Sequence, residues 1–154
     1  MLIRITPDTD EGWTGCFAFG SYDISAMIAS PEPMKLFVIS KGAGYVVNAA
    51  HPSEWNRVHC DPVRDVRVIE QYGLVLFADF TSIAAYGEKG LAWLSKPLCW
   101  DDLKIMSVEG TRIVGCGYDP TNEVRPTGHF ELDLLTGEVG RTDFAHMHSS
   151  VTNE

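Results

Sequence analysis

Two histidines and one cysteine form the densest group of metal-ligating side chains in this sequence of 154 residues. They are His51, His59 and Cys60, and imidazole together with thiolate is a ligand set that suits zinc. Their spacing matches no established ligand pattern, and the sequence has no C-x-x-C pair. We therefore predict no metal ion here, and we expect the three side chains to belong to a partly buried loop.

Aspartates are the candidates for acid-base chemistry. Asp79, Asp101 and Asp119 fall near the ends of apolar segments, where a pair of carboxyl groups facing one cleft would suit the hydrolysis of a sugar. The alternative is that each aspartate begins a turn, which is a common role for this residue type. We favour turns, and we expect Asp79, which interrupts a strongly apolar segment, to bond to the backbone of one.

Tryptophans are the candidates for binding. Trp13, Trp55 and Trp100 could line a ligand groove, although tryptophans more often fill a core. Because Trp13 stands in a polar segment, we expect it to be the most exposed of them. The sequence has neither the G-x-S-x-G motif of a nucleophilic serine nor the G-K-[S/T] ending of a phosphate-binding loop.

The elements that must position these residues are strands. Short segments rich in Val, Ile, Phe and Tyr recur every eight to twelve residues between Gly, Pro, Asp or Asn, which predicts an all-β antiparallel meander with little helix. Residues 23 to 29 fit one or two helical turns or a strand, and residues 52 to 55 look like a single turn opened by proline. Leu74 to Ala78 is apolar on both faces and should lie centrally.

Glycines and one aspartate turn indicate how the strands connect. Asp133 to Gly137 predicts a hairpin with a type I turn and a glycine bulge, leading to a strand around Val139. Gly115 and Gly117 lie inside an otherwise apolar strand, where glycine favours a bulge or the close approach of another group. We expect close packing at these two positions.

Two segments carry a family resemblance. Ile83-Ala84-Ala85-Tyr86-Gly87-x-x-Gly90-Leu91-Ala92-Trp93 and Phe130-Glu131-Leu132-Asp133-Leu134-Leu135-Thr136-Gly137 resemble the blades of quinoprotein-type repeat β-propellers, over residues 66 to 140. The resemblance implies a propeller-like architecture, incomplete because only three or four units fit the chain, or a two-sheet sandwich. It implies no cofactor, because no cofactor-binding residues of the family can be matched here.

Charge and composition narrow the class of protein. A net charge of −9 disfavours nucleic acid and anionic membranes as partners. The four cysteines do not form the disulfide framework of a short secreted protein, so we expect reduced, mostly buried thiols. The first eight residues lack the apolar region of a secretion signal, which favours a cytoplasmic protein.

We predict a single all-β domain over residues 1 to 145 and a flexible tail over residues 146 to 154.

Three hypotheses about function follow. The first is a non-catalytic cytoplasmic binding module whose acidic ends and aromatic side chains contact another protein, in particular a basic one; a bacterial immunity or antitoxin-like protein fits this description. The second is a carbohydrate-active hydrolase that uses Asp79, Asp101 or Asp119. The third is an assembly protein whose incomplete set of blades closes by forming a homodimer.

Overall fold

The computed structural model describes residues 1 to 7 and 12 to 144, a part of the chain that contains fourteen β-strands and one short 3-10 turn. All strand pairs are antiparallel, and strands that are consecutive in the chain are neighbours within each sheet. The prediction of an all-β antiparallel meander with little helix is therefore confirmed. Nowhere in these residues is there a helix with the length and apolar composition that crossing a bilayer requires. The predicted tail lies outside the described residues.

The strands form one two-stranded sheet followed by three four-stranded meanders. The two-stranded sheet consists of β1 (Leu2–Ile5) and β2 (Trp13–Cys16). The first four-stranded sheet consists of β3 (Ala26–Ala29), β4 (Lys35–Ser40), β5 (Ala43–Asn48) and β6 (Trp55–Arg57). The second consists of β7 (Asp65–Ile69), β8 (Leu74–Ala78), β9 (Ile83–Gly87) and β10 (Gly90–Leu94). The third consists of β11 (Asp101–Glu109), β12 (Arg112–Tyr118), β13 (Thr127–Asp133) and β14 (Val139–Thr142).

The sheets are stacked face to face in the order of the chain. Because successive side chains of a strand point to opposite faces, Leu76 packs toward the third sheet while its neighbour Phe77 packs toward the first. Every residue of β8 and β9 is buried, so the prediction that Leu74 to Ala78 lies centrally is confirmed.

Aromatic rings join the first and second sheets. The ring of Phe37 meets Phe77 at 4.8 Å and Tyr86 at 5.2 Å between centroids, in edge-to-face geometry. Such pairs add about 0.5–1.5 kcal/mol to what burial of their surface contributes. The interface between these two sheets is therefore specified by shape as well as by apolarity.

The predicted turn and the predicted close packing are both present. Asp133 Oδ1 accepts hydrogen bonds from the backbone N–H groups of Leu135 and Thr136, both at 2.9 Å, and Gly137 adopts a φ of +72°. The hairpin leads into β14 as predicted. A Cβ atom on Gly115 would lie 2.2 Å from Phe130 Cζ, and one on Gly117 would lie 2.4 Å from Cys99 Sγ. Glycine is needed at both positions because side chains of the core occupy that space.

Two short strands were not predicted. Of the two interpretations of residues 23 to 29, the strand is confirmed and the helical turns are wrong, because residues 26 to 29 form β3. Trp55 belongs to β6 instead of ending a proline-initiated turn, and β2 lies in a segment that we interpreted as polar. These strands have only three and four residues, too few to give a clear alternation in sequence.

Arg64 connects segments from different parts of the stack. Its guanidinium carbon lies 5.0 Å from the ring centroid of Tyr22 and 4.3 Å from that of Phe80. Its Nη2 donates to Tyr22 Oη at 3.3 Å and to Asp102 Oδ1 at 3.0 Å. Lys104 and Arg64 both hold the pKa of Asp102 below its usual value. One side chain thus ties the connection before β3 to the second and third sheets.

Replacing Gly115 by alanine should lower the free energy of unfolding by about 1–3 kcal/mol, because the new methyl group would overlap the ring of Phe130. Gly140→Ala in the same sheet is the matched control, since the nearest atom to its Cβ is 3.8 Å away, and it should change stability by less than about 0.5 kcal/mol. Urea unfolding of both variants measures the difference. Equal midpoints would contradict the packing described for β12.

Arg64→Ala should lower the free energy of unfolding by about 1–3 kcal/mol, because it removes two ring contacts and a charged hydrogen bond. Arg125→Ala, at an exposed loop position, should have little effect. Thermal unfolding followed by circular dichroism compares the two. If Arg125→Ala were as damaging as Arg64→Ala, the connecting role of Arg64 would be refuted.

Candidate groove beside strand β2

The outer face of the first four-stranded sheet is only partly covered. Val38, Tyr45 and Val47 are buried beneath the two-stranded sheet. Strand β6 continues the same face, because Trp55 pairs with Val47 and Arg57 pairs with Tyr45 in the antiparallel register. The two strands β1 and β2 therefore cover β4 and β5, while 52% of the surface of Trp55 remains exposed on β6.

A groove of about 450 Å³ lies where the cover ends. Its walls are β2 with the two residues that follow it and the exposed part of the first sheet, and its lining side chains include Trp13, Phe17, Tyr45, Val47, Pro52 and Trp55. No residue of β1 lines the groove, so the groove runs along the side of β2 that faces away from β1. Clefts of this volume with mostly apolar and aromatic walls are candidates for binding sites.

The structure brings two of the three predicted binding residues together. Trp13 and Trp55 both line the groove. The expectation that Trp13 is the most exposed tryptophan is wrong, because Trp13 is half-buried and its Nε1 donates to Ala49 O at 2.7 Å. This bond holds β2 against the connection between β5 and β6, and it leaves Trp55 as the exposed aromatic side chain of the groove.

Tyr45 forms the centre of the groove floor. Its ring contacts those of Phe17 and Trp55 in edge-to-face geometry, with centroids 5.3 Å and 5.8 Å away. Its hydroxyl donates to Ala18 O at 3.2 Å, and the guanidinium carbon of Arg57 lies 4.9 Å from its ring centroid. Because the ring and the hydroxyl are both held by neighbours, the floor is rigid before any ligand arrives.

The third predicted binding residue lies elsewhere. Trp100 is 55% exposed and precedes β11 in the third sheet, and it is not among the residues that line the groove. Trp93, the remaining tryptophan, is buried and donates from Nε1 to Leu134 O at 2.9 Å. The four tryptophans therefore divide between one groove, one core position and one separate surface position.

The three candidate catalytic aspartates accept hydrogen bonds from nearby backbone N–H groups. Asp79 Oδ1 accepts from the N–H groups of Thr81 and Ser82 at 2.8 and 2.7 Å, which is the arrangement expected from the sequence. Asp119 Oδ1 accepts from the N–H of Thr121 at 2.9 Å, so these two carboxylates begin turns. Asp101 is the first residue of β11 and does not begin a turn; its Oδ1 accepts from the N–H of Asp102 at 2.6 Å.

Two of the three candidate metal ligands contact other protein groups through their side chains. His59 Nδ1 lies 2.8 Å from Tyr86 Oη, and the buried Cys60 thiol donates to Phe77 O at 3.2 Å. His51 lies in the loop between β5 and β6, where its carbonyl accepts from the N–H of Glu54. Across residues 1 to 7 and 12 to 144, no three His, Cys, Asp or Glu side chains are arranged to hold a metal ion.

Several residues of the groove were missed from sequence, namely Phe17, Tyr45, Val47 and Pro52. The available signal for β2 was the pair of large rings at Trp13 and Phe17, but Gly15 interrupts the face that they share, so the segment shows no clear alternation. Gly15 lets the two rings approach, since a Cβ there would lie 2.7 Å from Phe17 and 2.9 Å from Trp13. The position of Tyr45 and Val47 on the outer face of their sheet could not be predicted, because it depends on which sheet covers them.

A second, smaller groove of about 310 Å³ lies beside β13 and β14. Its lining includes His129, Glu131, Arg141 and Asp143, and His129 Nδ1 lies 3.3 Å from Asp143 Oδ2. Charged side chains that already have partners or face water gain little from a ligand. The groove beside β2 is the stronger candidate because its exposed surface is aromatic.

No protein-family model matches the chain, and no curated protein has a significantly similar sequence.

The cysteines provide a test of this arrangement. Burial raises the pKa of both Cys60 and Cys99 to about 12, so at pH 8 only about one thiol in ten thousand is ionised at each. Cys16 is exposed on β2 and Cys116 is partly exposed. We expect the native protein to react with Ellman's reagent at no more than these two positions, and all four to react after denaturation.

The control for the thiol experiment is Cys16→Ser, which should remove the fastest phase of the reaction. Reaction of all four cysteines in the native protein at one common rate would contradict the burial described here.

Proposed function

We propose that the protein is a non-catalytic cytoplasmic binding module that holds a segment of another protein in the groove beside β2. The observation that carries this proposal is the exposed ring of Trp55 next to the fixed ring of Tyr45, on a sheet face that the two-stranded sheet does not fully cover. Tryptophan and tyrosine dominate the energetics of protein interfaces because they bury a large surface at a small entropic cost.

Charge favours a basic partner. The full chain has 21 acidic and 12 basic side chains, which give a net charge of −9. Glu54 precedes Trp55 and is bonded to the neutral amide of Asn48, at 2.9 Å. Such an excess of carboxylates attracts a cationic segment and repels an anionic one. An immunity or antitoxin-like role is the form of this function that the acidity supports.

We also propose that the three four-stranded sheets are blades of a propeller-like repeat. One of the two segments that resemble such blades covers β9, the turn after it and most of β10 in the second sheet. The other covers the second half of β13 and the turn after it in the third sheet. Trp93 of the second sheet contacts Gly137 in the corresponding turn of the third, where a Cβ would lie 2.5 Å from its ring. Stacking of successive meanders in chain order further supports this interpretation.

The binding function is tested with a phage-displayed library of random dodecapeptides, selected on the immobilised protein. We expect the selected peptides to combine apolar residues with Lys or Arg, and a synthetic copy of the tightest binder to lose affinity as salt is raised. Trp55→Ala should weaken its binding by at least about tenfold, because truncating a central aromatic side chain removes a main contact.

Trp100→Ala is the matched control, since Trp100 is equally exposed but does not line the groove. It should leave the peptide affinity unchanged. If the two variants lost affinity equally, if neither lost any, or if no peptide could be selected, the proposed function would be wrong.

A further inference from the structure

Along one edge of β2, the backbone N–H and C=O groups are hydrogen-bonded to β1. Phe17 N–H donates to Met1 O at 2.8 Å, and the amino group of Met1 donates to Phe17 O at 2.5 Å, so these two residues exchange both hydrogen bonds. In an antiparallel pair such residues alternate with residues whose backbone groups point away. With the register of β1 and β2, the next residues bonded to β1 are Gly15, opposite Ile3, and Trp13, opposite Ile5.

The other edge of β2 is open. By the same alternation, the N–H and C=O groups of Thr14 and Cys16 point away from β1, toward the groove. Within the described part of the chain no strand pairs with this edge, and neither residue has another backbone hydrogen bond there. An open strand edge of this kind is a template for pairing with an additional strand.

We propose that the segment bound in the groove is an extended strand of a partner protein, which pairs with Thr14 and Cys16 and adds a third strand to the two-stranded sheet. This inference rests on the proposed function and specifies its binding mode. The added strand lies about 4.8 Å from β2, over the exposed part of the first sheet. Alternate side chains of the strand then contact Tyr45 and Trp55, while the others face solvent.

Backbone chemistry favours a strand over a helix or a compact loop. A helix satisfies its own backbone groups, so it would cover Thr14 and Cys16 without bonding to them. An extended segment supplies donors and acceptors at the spacing of a strand edge, and it places every second side chain on the aromatic floor. Both features of the groove, its open edge and its apolar floor, are used only in this mode.

Charge argues that the strand belongs to a basic partner and not to a second copy of this chain. The full chain carries a net charge of −9, which opposes association of two copies. Beside the groove, the guanidinium of Arg57 is paired with Asp61 at 3.0 Å, and the carboxylate of Glu54 is bonded to the neutral amide of Asn48. Because the chain has 21 acidic and 12 basic side chains, Lys or Arg in the solvent-facing positions of the strand would be attracted.

The test is a scan of single N-methyl groups along the tightest-binding dodecapeptide from the library. An N-methyl group removes one N–H donor and blocks that edge of a strand. We expect binding to fall at least tenfold at every second position of the central segment and less than threefold at the positions between. A flat profile, or losses in one continuous block, would overturn the strand-addition proposal.

The protein side of the same contact is tested with Cys16→Pro and its control Leu2→Pro. Leu2 lies opposite Cys16 on β1, is exposed and does not line the groove, and by the same alternation neither residue's N–H bonds to the neighbouring strand. We expect Cys16→Pro to weaken peptide binding at least tenfold and Leu2→Pro to leave it unchanged, with circular dichroism confirming that both are folded. If Cys16→Pro does not fold, the N-methyl scan on the unaltered protein decides the question.

The two proposals fail differently. If Trp55→Ala abolishes binding but the N-methyl profile does not alternate, the groove is the binding site and strand addition is wrong. If Trp55→Ala has no effect, the groove itself is wrong. A dimer in light scattering whose dissociation accompanies peptide binding would show that a second copy occupies the edge instead.

Discussion

The structure depends on the need to cover apolar sheet faces. Each four-stranded sheet presents Val, Ile, Leu and Phe side chains, and leaving such a side chain exposed instead of buried costs about 1.5–3 kcal/mol. The second sheet meets this requirement because it is stacked between two others, and β8 and β9 are buried throughout. The first sheet meets it only in part, because a two-stranded sheet is half as wide as the four strands beneath it. The groove beside β2 is one uncovered part of that face, and the exposed Met27 on β3 is another.

The outer faces at the two ends of the stack differ in polarity. The outer face of the third sheet carries mostly polar or charged side chains, among them Lys104, His129, Glu131 and Arg141, and its exposed apolar side chains are Met106 and Tyr118. A face of this kind needs no cover. The outer face of the first sheet is apolar and is covered by strands whose far edge is open. This asymmetry is why we assign binding to the N-terminal end of the stack.

Much of the fold could be predicted from sequence because its rules are local. The alternation and apolar content of residues 74 to 78, the Asp133 turn and the crowded glycines Gly115 and Gly117 each specify their own surroundings. The chemical roles of Asp79 and Asp119 followed from turn chemistry in the same way. Strands β2 and β6 were missed because three or four residues are too few for a periodic signal, and their formation depends on the sheet they contact.

The site was harder to predict than the fold. Trp13 and Trp55 were identified as binding candidates from residue type alone, but Trp100 has the same type and a similar exposure and lies in another place. What unites Trp13 with Trp55 is the placement of β2 over β5, a contact between residues far apart in the chain. Sequence could not distinguish Tyr45 from other buried aromatic side chains, because its role depends on where the cover of its sheet ends.

Hydrogen exchange of the backbone amides of β2, measured by NMR with and without the selected dodecapeptide, tests the central claim most directly. In the free protein, the amides of Trp13 and Gly15 should be protected by β1, while those of Thr14 and Cys16 should exchange quickly. The peptide should protect Thr14 and Cys16 as well. The account is contradicted if these two amides are already protected in the free protein, or if they still exchange quickly when the peptide is bound.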